Sequence, residues 1–310
     1  GVKVFCNVGD LEEARLASTL GCDGIGLFRI EFLYMKNEPP GVNELREVLE
    51  KTALFFKNKP VVIRAPDIGG DKQVPYLNIE EKNPFLGLRG IRLLLEYKNE
   101  LFKPFIRAFL ETFKNHGNLR LLLPMVSRVS EVYETVELIE EIASEVNVDA
   151  SKLEIGIMIE VPSTALIVDR VAMTGRVRFV SYGTNDLTQY VLAVDRTNPK
   201  VSSIYDDMDP SVLRLLSISM NEARKHGLEV EVCGELASRQ LAVPILLSFG
   251  VNALSVNLSS VGLVKYTIKG IDLREVNSKL TPEVLNANNS ESVREALRKY
   301  LISKKVVILE

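Results

Sequence analysis

The sequence predicts a (β/α)8 TIM barrel, an α/β fold in which eight parallel strands are enclosed by helices. Three observations point there. Eight short apolar runs recur along the chain, and stretches of helical spacing alternate with them. The runs end repeatedly on charged or polar side chains, as strands do where a barrel opens into its active-site mouth. The length of 310 residues, 46% of them hydrophobic, lies at the upper end of what a single core supports.

The elements follow in order. Val2 to Val8 is the first strand, ending on Asn7, and Asp10 with Glu13 forms a capping box before a helix that Gly21 ends. Gly24 to Phe28 is the second strand, tipped by Arg29 and Glu31, and a helix near Leu45 to Phe56 follows. Val61 to Ile63 is the third, ending on Arg64 and Asp67. The main irregular insertion comes next, with Gly69, Gly70, Asp71 and Lys72, then Arg89 and Arg92 where helical spacing resumes. A helix over roughly Leu101 to Asn115 leads to the fourth strand, Leu121 to Val126, and another helix runs from about Glu131 to Glu145. Ile155 to Ile159 is the fifth strand, tipped by Glu160, with Pro162 opening a helix. Val177 to Tyr182 is the sixth, followed after Gly183 by Thr184, Asn185 and Asp186, and then by the polar cluster Asp195 to Asn198. Pro210 starts a helix ending at Gly227, and Val230 and Val232 belong to the seventh strand, tipped by Cys233 and Glu235. Val251 to Val256 is the eighth, followed by Asn257 and Ser259. The barrel is expected over 1–270, with 271–310 a polar helical extension ending in the apolar run Val306 to Leu309, for which the sequence suggests no role.

A net charge of −3 implies no broad basic face, which excludes nucleic acid and anionic membrane as expected partners. No apolar run approaches the ~20 residues of a transmembrane helix. Cys6, Cys22 and Cys233 are odd in number and lack metal-type spacing. They predict no disulfide, a reducing compartment and hence a cytoplasmic protein, with Cys6 and Cys22 as core residues. The chain enters a strand at once, so it reads as cut at a domain boundary, with a preceding domain expected.

Arg29, Arg64 and Arg196 offer three permanently charged forks suited to phosphate or carboxylate. Glu160 and Asp186, on adjacent strand tips, suit Mg²⁺, which seldom takes a full protein cage. The plain alternatives are ion pairing for the carboxylates and helix capping for Asn185-Asp186. Cys233, with a reference pKa of roughly 8.5, is a candidate proton donor or nucleophile. His116 and His226 each precede a glycine at a helix end, away from the tips. A chemistry that needs histidine must therefore receive it from another domain or chain. A small phosphorylated anion held on Mg²⁺ beside a thiol acid suits phosphoryl transfer.

The motifs GIGLFRIEFLY (24–34), VIRAPDIGGDK (62–72), NPFLGLRGIR (83–92), GIMIEVPSTA (156–165), YGTNDLTQYVLAVDR (182–196) and CGELA (233–237) resemble the phosphoenolpyruvate (PEP)-binding domain of the PEP-utilising enzymes. That family includes enzyme I of the bacterial sugar phosphotransferase system, PEP synthase and pyruvate phosphate dikinase, and the motifs are most similar to enzyme I. The resemblance implies that Arg29, Arg64 and Arg196 bind the PEP phosphate and carboxylate, helped by Arg89, Asn185 and Lys72. It implies Glu160 and Asp186 as Mg²⁺ ligands, Cys233 as the acid that protonates the enolate, a phosphoryl acceptor histidine on a separate domain, and a homodimer. The chain departs from the family in carrying Ile30 and Ala65 where a threonine usually follows each arginine. Alternatives in other classes are a pyruvate-enolate lyase and a diverged ligand-binding or assembly module.

Overall fold

The computed structural model describes residues 1–310. Its strands are β1 (Lys3–Val8), β2 (Ile25–Arg29), β3 (Val61–Arg64), β4 (Leu119–Leu123), β5 (Ile155–Ile159), β6 (Val177–Tyr182), β7 (Glu229–Val232) and β8 (Ala253–Val256). They pair in sequence order, all parallel, and β8 returns to β1, with Lys3 opposite Ala253, to close the barrel. Around it lie α1 (Leu11–Thr19), α2 (Val42–Phe55), α3 (Ile91–Glu96), α4 (Lys103–His116), α5 (Val129–Val146), α6 (Pro162–Leu166), α7 (Val168–Met173), α8 (Thr184–Leu192), α9 (Pro210–Lys225), α10 (Val243–Ser248) and α11 (Val261–Lys269). The extension adds α12 (Leu273–Glu275), α13 (Thr281–Leu285) and α14 (Ser290–Ser303).

Local signals account for the helix ends. Asp10 accepts the Glu13 N–H while the Glu13 carboxylate accepts the Gly9 N–H. Pro162 and Pro210 occupy first helical positions, where a missing N–H costs nothing. Both histidines terminate helices, and His226 Nδ1 lies 2.9 Å from the Glu222 carbonyl. Because α4 and α9 lead directly into β4 and β7, both histidines lie at the end of the barrel opposite the mouth.

The main core fills the space between strands and helices, and a second plug lies inside the barrel. Alternation along the strands sends Leu27, Val62, Leu122, Met158, Phe179 and Cys233 inward, and they pack on one another. Toward the strand starts, Arg120 of β4 lies 3.9 Å from the Phe179 ring centre and bonds Glu231 at 2.7 Å and Glu229 at 2.8 Å. Glu231 is fully buried. Burial pushes its carboxyl up to about 7, although Arg120 pulls it back.

The cysteines require a correction. Cys6 on β1 and Cys22 in the turn before β2 form a disulfide, with Cα atoms 6.1 Å apart, and only Cys233 is free. Because α1 folds back over the sheet, residues 16 apart in sequence meet in the core. An odd cysteine count concealed one pair plus one free thiol, so cysteine usage no longer argues for a reducing compartment. No helix is long and apolar enough to cross a membrane.

Glu231 generates a prediction. Its native pKa lies above its unfolded value, so the native state keeps a proton that the unfolded chain loses. Stability contributed at low pH then declines as pH rises from about 5 through about 7. Urea unfolding as a function of pH is expected to show that decline in the parent protein and a flatter profile in Glu231→Gln.

Candidate active site

At the strand ends a cavity of about 130 Å³ is lined by Asn7, Arg29, Arg64, Lys72, Glu160, Asn185, Asp186, Arg196, Cys233, Glu235 and Asn257, among others. Residues contributed by seven of the eight strands or the segments that follow them, all but β4, thus meet around one small polar space. Every residue the sequence singled out for chemistry lines it except Arg89.

Two of the strand-tip carboxylates lie beneath this surface. Glu31 accepts Arg64 Nη2 at 2.7 Å and the Asp67 N–H at 2.8 Å. Asp67, fully buried, pairs with Arg89 at 2.9 Å, Lys72 at 3.4 Å and Arg64 at 3.5 Å. Burial alone would raise its carboxyl, but Lys72, Arg89 and Arg64 together hold it well below the usual range. Arg89 reaches on from Asp67 to Asp186 at 3.0 Å and lies over the Phe85 ring. It is buried behind Asp186 and supports that residue rather than the cavity wall.

Glu160 and Asp186 both face the cavity, as their places just after β5 and β6 require. Asp186 is held by Arg89, with Arg196 3.9 Å away. Glu160 Oε2 accepts the Met125 N–H at 2.7 Å, while its other oxygen takes no hydrogen bond from the protein. Burial, then Asp186 and Asp67, push the Glu160 carboxyl up to about 8 against the pull of Arg64 and Arg89. Gly183 permits this arrangement, because a Cβ there would lie 2.8 Å from Glu160 Cγ. No cluster of three or more His, Cys, Asp or Glu side chains is arranged to hold a metal, so a cation here would rest on these two carboxylates plus ligand oxygens or water.

Asn185 and Asp186 are not caps. Helix α8 begins at Thr184 without a side-chain cap, so both residues sit in its first turn. Asn185 Oδ1 accepts the Glu235 N–H at 2.9 Å, which joins the segments after β6 and β7. Arg29 is exposed and makes no ion pair, and Arg196 is about 30% exposed, so both guanidinium groups remain available to a ligand. Cys233 is 3% exposed, and burial pushes its thiol up to about 12, which keeps it protonated near neutrality.

Sequence reasoning gave Asn7 and Asn257 no role, yet both line the cavity. Asn7 Nδ2 donates to the Cys233 carbonyl at 2.9 Å, and its Oδ1 accepts from Ser255 Oγ at 2.6 Å. A polar residue at an inward position near the end of an apolar strand was the available signal. Ile30 and Ala65 are fully buried in the main core and line no part of the cavity.

Comparison with known proteins agrees with this geometry. The family model described as PEP-utilising enzyme, PEP-binding domain matches residues 1–273. A Salmonella typhimurium protein named phosphoenolpyruvate-dependent phosphotransferase system is 41% identical over 307 residues, covering 97% of this chain and 40% of its own length. The phosphoenolpyruvate-protein phosphotransferases of Borreliella burgdorferi and Bacillus subtilis are 37% and 36% identical, covering 97% and 94% of this chain and 53% and 51% of their own. The chain thus spans about half or less of the length of these relatives. Among solved structures, Haloferax volcanii malate synthase in a pyruvate/acetyl-CoA complex has a TM-score of 0.61 at 12% identity, covering 98% of this chain and 81% of that one. An HpcH/HpaI aldolase/citrate lyase family protein from Burkholderia cenocepacia has a TM-score of 0.53 at 14% identity, covering 89% and 93%. At such identities the likeness is one of fold. The family match and the relatives' identity across nearly the whole chain place it in one family: this chain belongs to the PEP-utilising enzymes, as their PEP-binding domain.

Proposed function

We propose that this barrel carries the PEP/pyruvate half-reaction of an enzyme I-type phosphotransferase, moving the PEP phosphoryl group to a histidine on another domain and releasing pyruvate. The observation that carries the reading is the convergence of Arg29, Arg64, Lys72 and Arg196 with Glu160, Asp186 and Cys233 on one small cavity. Four cations suit a ligand bearing both phosphate and carboxylate, and exposed Arg29 and half-buried Arg196 can turn to meet it. The names of the relatives favour this reading over PEP synthase or a pyruvate-enolate lyase.

Binding places the bridging P–O bond among fixed positive charges. As that bond breaks and a P–N bond to the acceptor histidine forms, negative charge moves onto the enolate, which the arginines stabilise. The Cys233 thiol, kept protonated by burial, gives its proton to the enolate methylene carbon to yield pyruvate. Asn7, bonded to the Cys233 carbonyl, fixes the backbone from which the thiol projects. Neither His116 nor His226 reaches this mouth, in keeping with an acceptor outside the chain. A Mg²⁺ ion fits the unbonded Glu160 oxygen and the Asp186 carboxylate, and bound there it would supply positive charge to the phosphate and enolate oxygens. The full protein is proposed to be a cytoplasmic homodimer.

Titration of PEP into the chain by calorimetry should show saturable, Mg²⁺-dependent binding that the Glu160→Ala, Asp186→Ala double variant loses. Absence of binding by the parent chain would refute the reading. Arg29 and Arg64 should separate affinity from stability. Arg29 has no protein partner, so Arg29→Ala is expected to weaken PEP binding at least tenfold, about 1.4 kcal/mol, with an unchanged melting temperature. Arg64→Ala leaves Glu31 in the interior without its ion-pair partner, while Asp67 keeps Arg89 and Lys72, and should cost roughly 3–5 kcal/mol of stability in urea unfolding. Because Ile30 and Ala65 pack away from the cavity, Ile30→Thr and Ala65→Thr should leave the PEP dissociation constant within about threefold, well under 1.4 kcal/mol.

A further inference from the structure

The apolar end Val306–Leu309, without an evident role in the sequence, is docked against the segment that follows β7. Gln240, fully buried, donates from Nε2 to the Val307 carbonyl at 2.7 Å and to Thr267 Oγ1 at 3.1 Å, and its Oε1 accepts the Leu309 N–H at 2.9 Å. The Gln240 N–H is in turn taken by the Glu310 carboxylate. Both faces of one buried amide are therefore used by the last residues of the chain. The family model ends at residue 273, so this tail lies beyond it.

A second contact leaves the extension from α14. Arg294 makes a two-pronged ion pair with Asp206, both bonds 2.7 Å long. Next to Asp206, the Tyr205 hydroxyl donates to the Asn185 carbonyl at 3.1 Å. On the other side, the segment Gly234–Gln240 reaches the same residue, since the Glu235 N–H donates to Asn185 Oδ1 at 2.9 Å. Arg239 bonds buried Asp207 at 3.0 Å and so cross-links the two arms. The arms converge on the backbone and the side chain of Asn185, next to Asp186.

We propose that the C-terminal extension is a two-armed clamp on the rim of the active site, with Arg294, Tyr205 and Gln240 as positioning residues that hold Asn185 and Asp186 in place for the ligand. One arm runs from α14 through Asp206 and Tyr205, the other from residues 307–310 through Gln240 and Glu235. The proposal rests on the PEP reading only for the identity of that ligand. Its energetic basis is that a binding constellation gains affinity when its groups are held in place before the ligand arrives.

Two measurements test it on the intact chain, amide hydrogen exchange and PEP calorimetry, with Arg294→Ala, Gln240→Ala and Tyr205→Phe. Lys304→Ala serves as the control, because it removes the ion pair with Glu275 inside the same extension without touching either arm. Arg294→Ala and Gln240→Ala are expected to speed exchange in 203–209 and 234–242 while leaving β1 to β4 unchanged. All three clamp variants should raise the PEP dissociation constant roughly tenfold. Lys304→Ala should lower only the melting temperature, and Arg294→Lys should recover part of the affinity. Unchanged exchange in both segments would overturn the clamp. Faster exchange with unaltered PEP affinity would overturn its positioning role. Failure of the parent chain to bind PEP would overturn the functional reading instead, with the exchange experiment still deciding the clamp.

Discussion

The site depends on a buried imbalance of charge. Arg64 and Arg89, both nearly inaccessible, face four buried carboxylates, Glu31, Asp67, Glu160 and Asp186. Three of the four are satisfied by a chain of ion pairs from Glu31 to Arg64, then Asp67, Arg89 and Asp186. Glu160 is left with one backbone hydrogen bond and a carboxyl pushed up to about 8. Buried ions persist only where partners repay their desolvation, so removing one link leaves its neighbour uncompensated. The same arrangement gives the cavity its character. The paired members are locked in place, while the underpartnered Glu160 oxygen and the loosely held Arg29 and Arg196 are left for a ligand and a cation.

The fold delivers these groups through its regularity. Strands β2 to β6 send inward side chains into an apolar plug, and every strand but β4 brings a polar group to the mouth at or just past its end. Cys233 belongs to both, because it packs in the plug and lines the cavity. That double membership gives the thiol its high pKa and places it at the floor of the site as an acid rather than a nucleophile. The Arg120–Glu231 pair fills the opposite end of the barrel interior with charge that takes no part in the mouth.

Much of this was legible in the chain, because strand tips are marked locally. Apolar runs followed by Arg29, Arg64, Glu160 and Asp186 announce both the strand and the direction of the mouth, and all eight expected strands are present, with the fourth at Leu119–Leu123 rather than Leu121 to Val126. Pairings between distant segments carried no such mark. Cys6 meets Cys22 only because α1 folds back, and nothing local to Arg89 announces its burial between Asp67 and Asp186. Asn7 was visible but silent, since its partners Cys233 and Ser255 lie more than two hundred residues away. The tail was unreadable for the same reason: its meaning resides in Gln240, about seventy residues earlier on another element.

The most direct test of the account is the crystal structure of the chain with PEP and Mn²⁺ in place of Mg²⁺, the metal located by its anomalous signal. The account predicts a single metal within bonding distance of both Glu160 and Asp186, with the phosphate and carboxylate of PEP on Arg29, Arg64 and Arg196 and the methylene carbon facing Cys233. A metal elsewhere, or PEP bound away from these arginines, would contradict it.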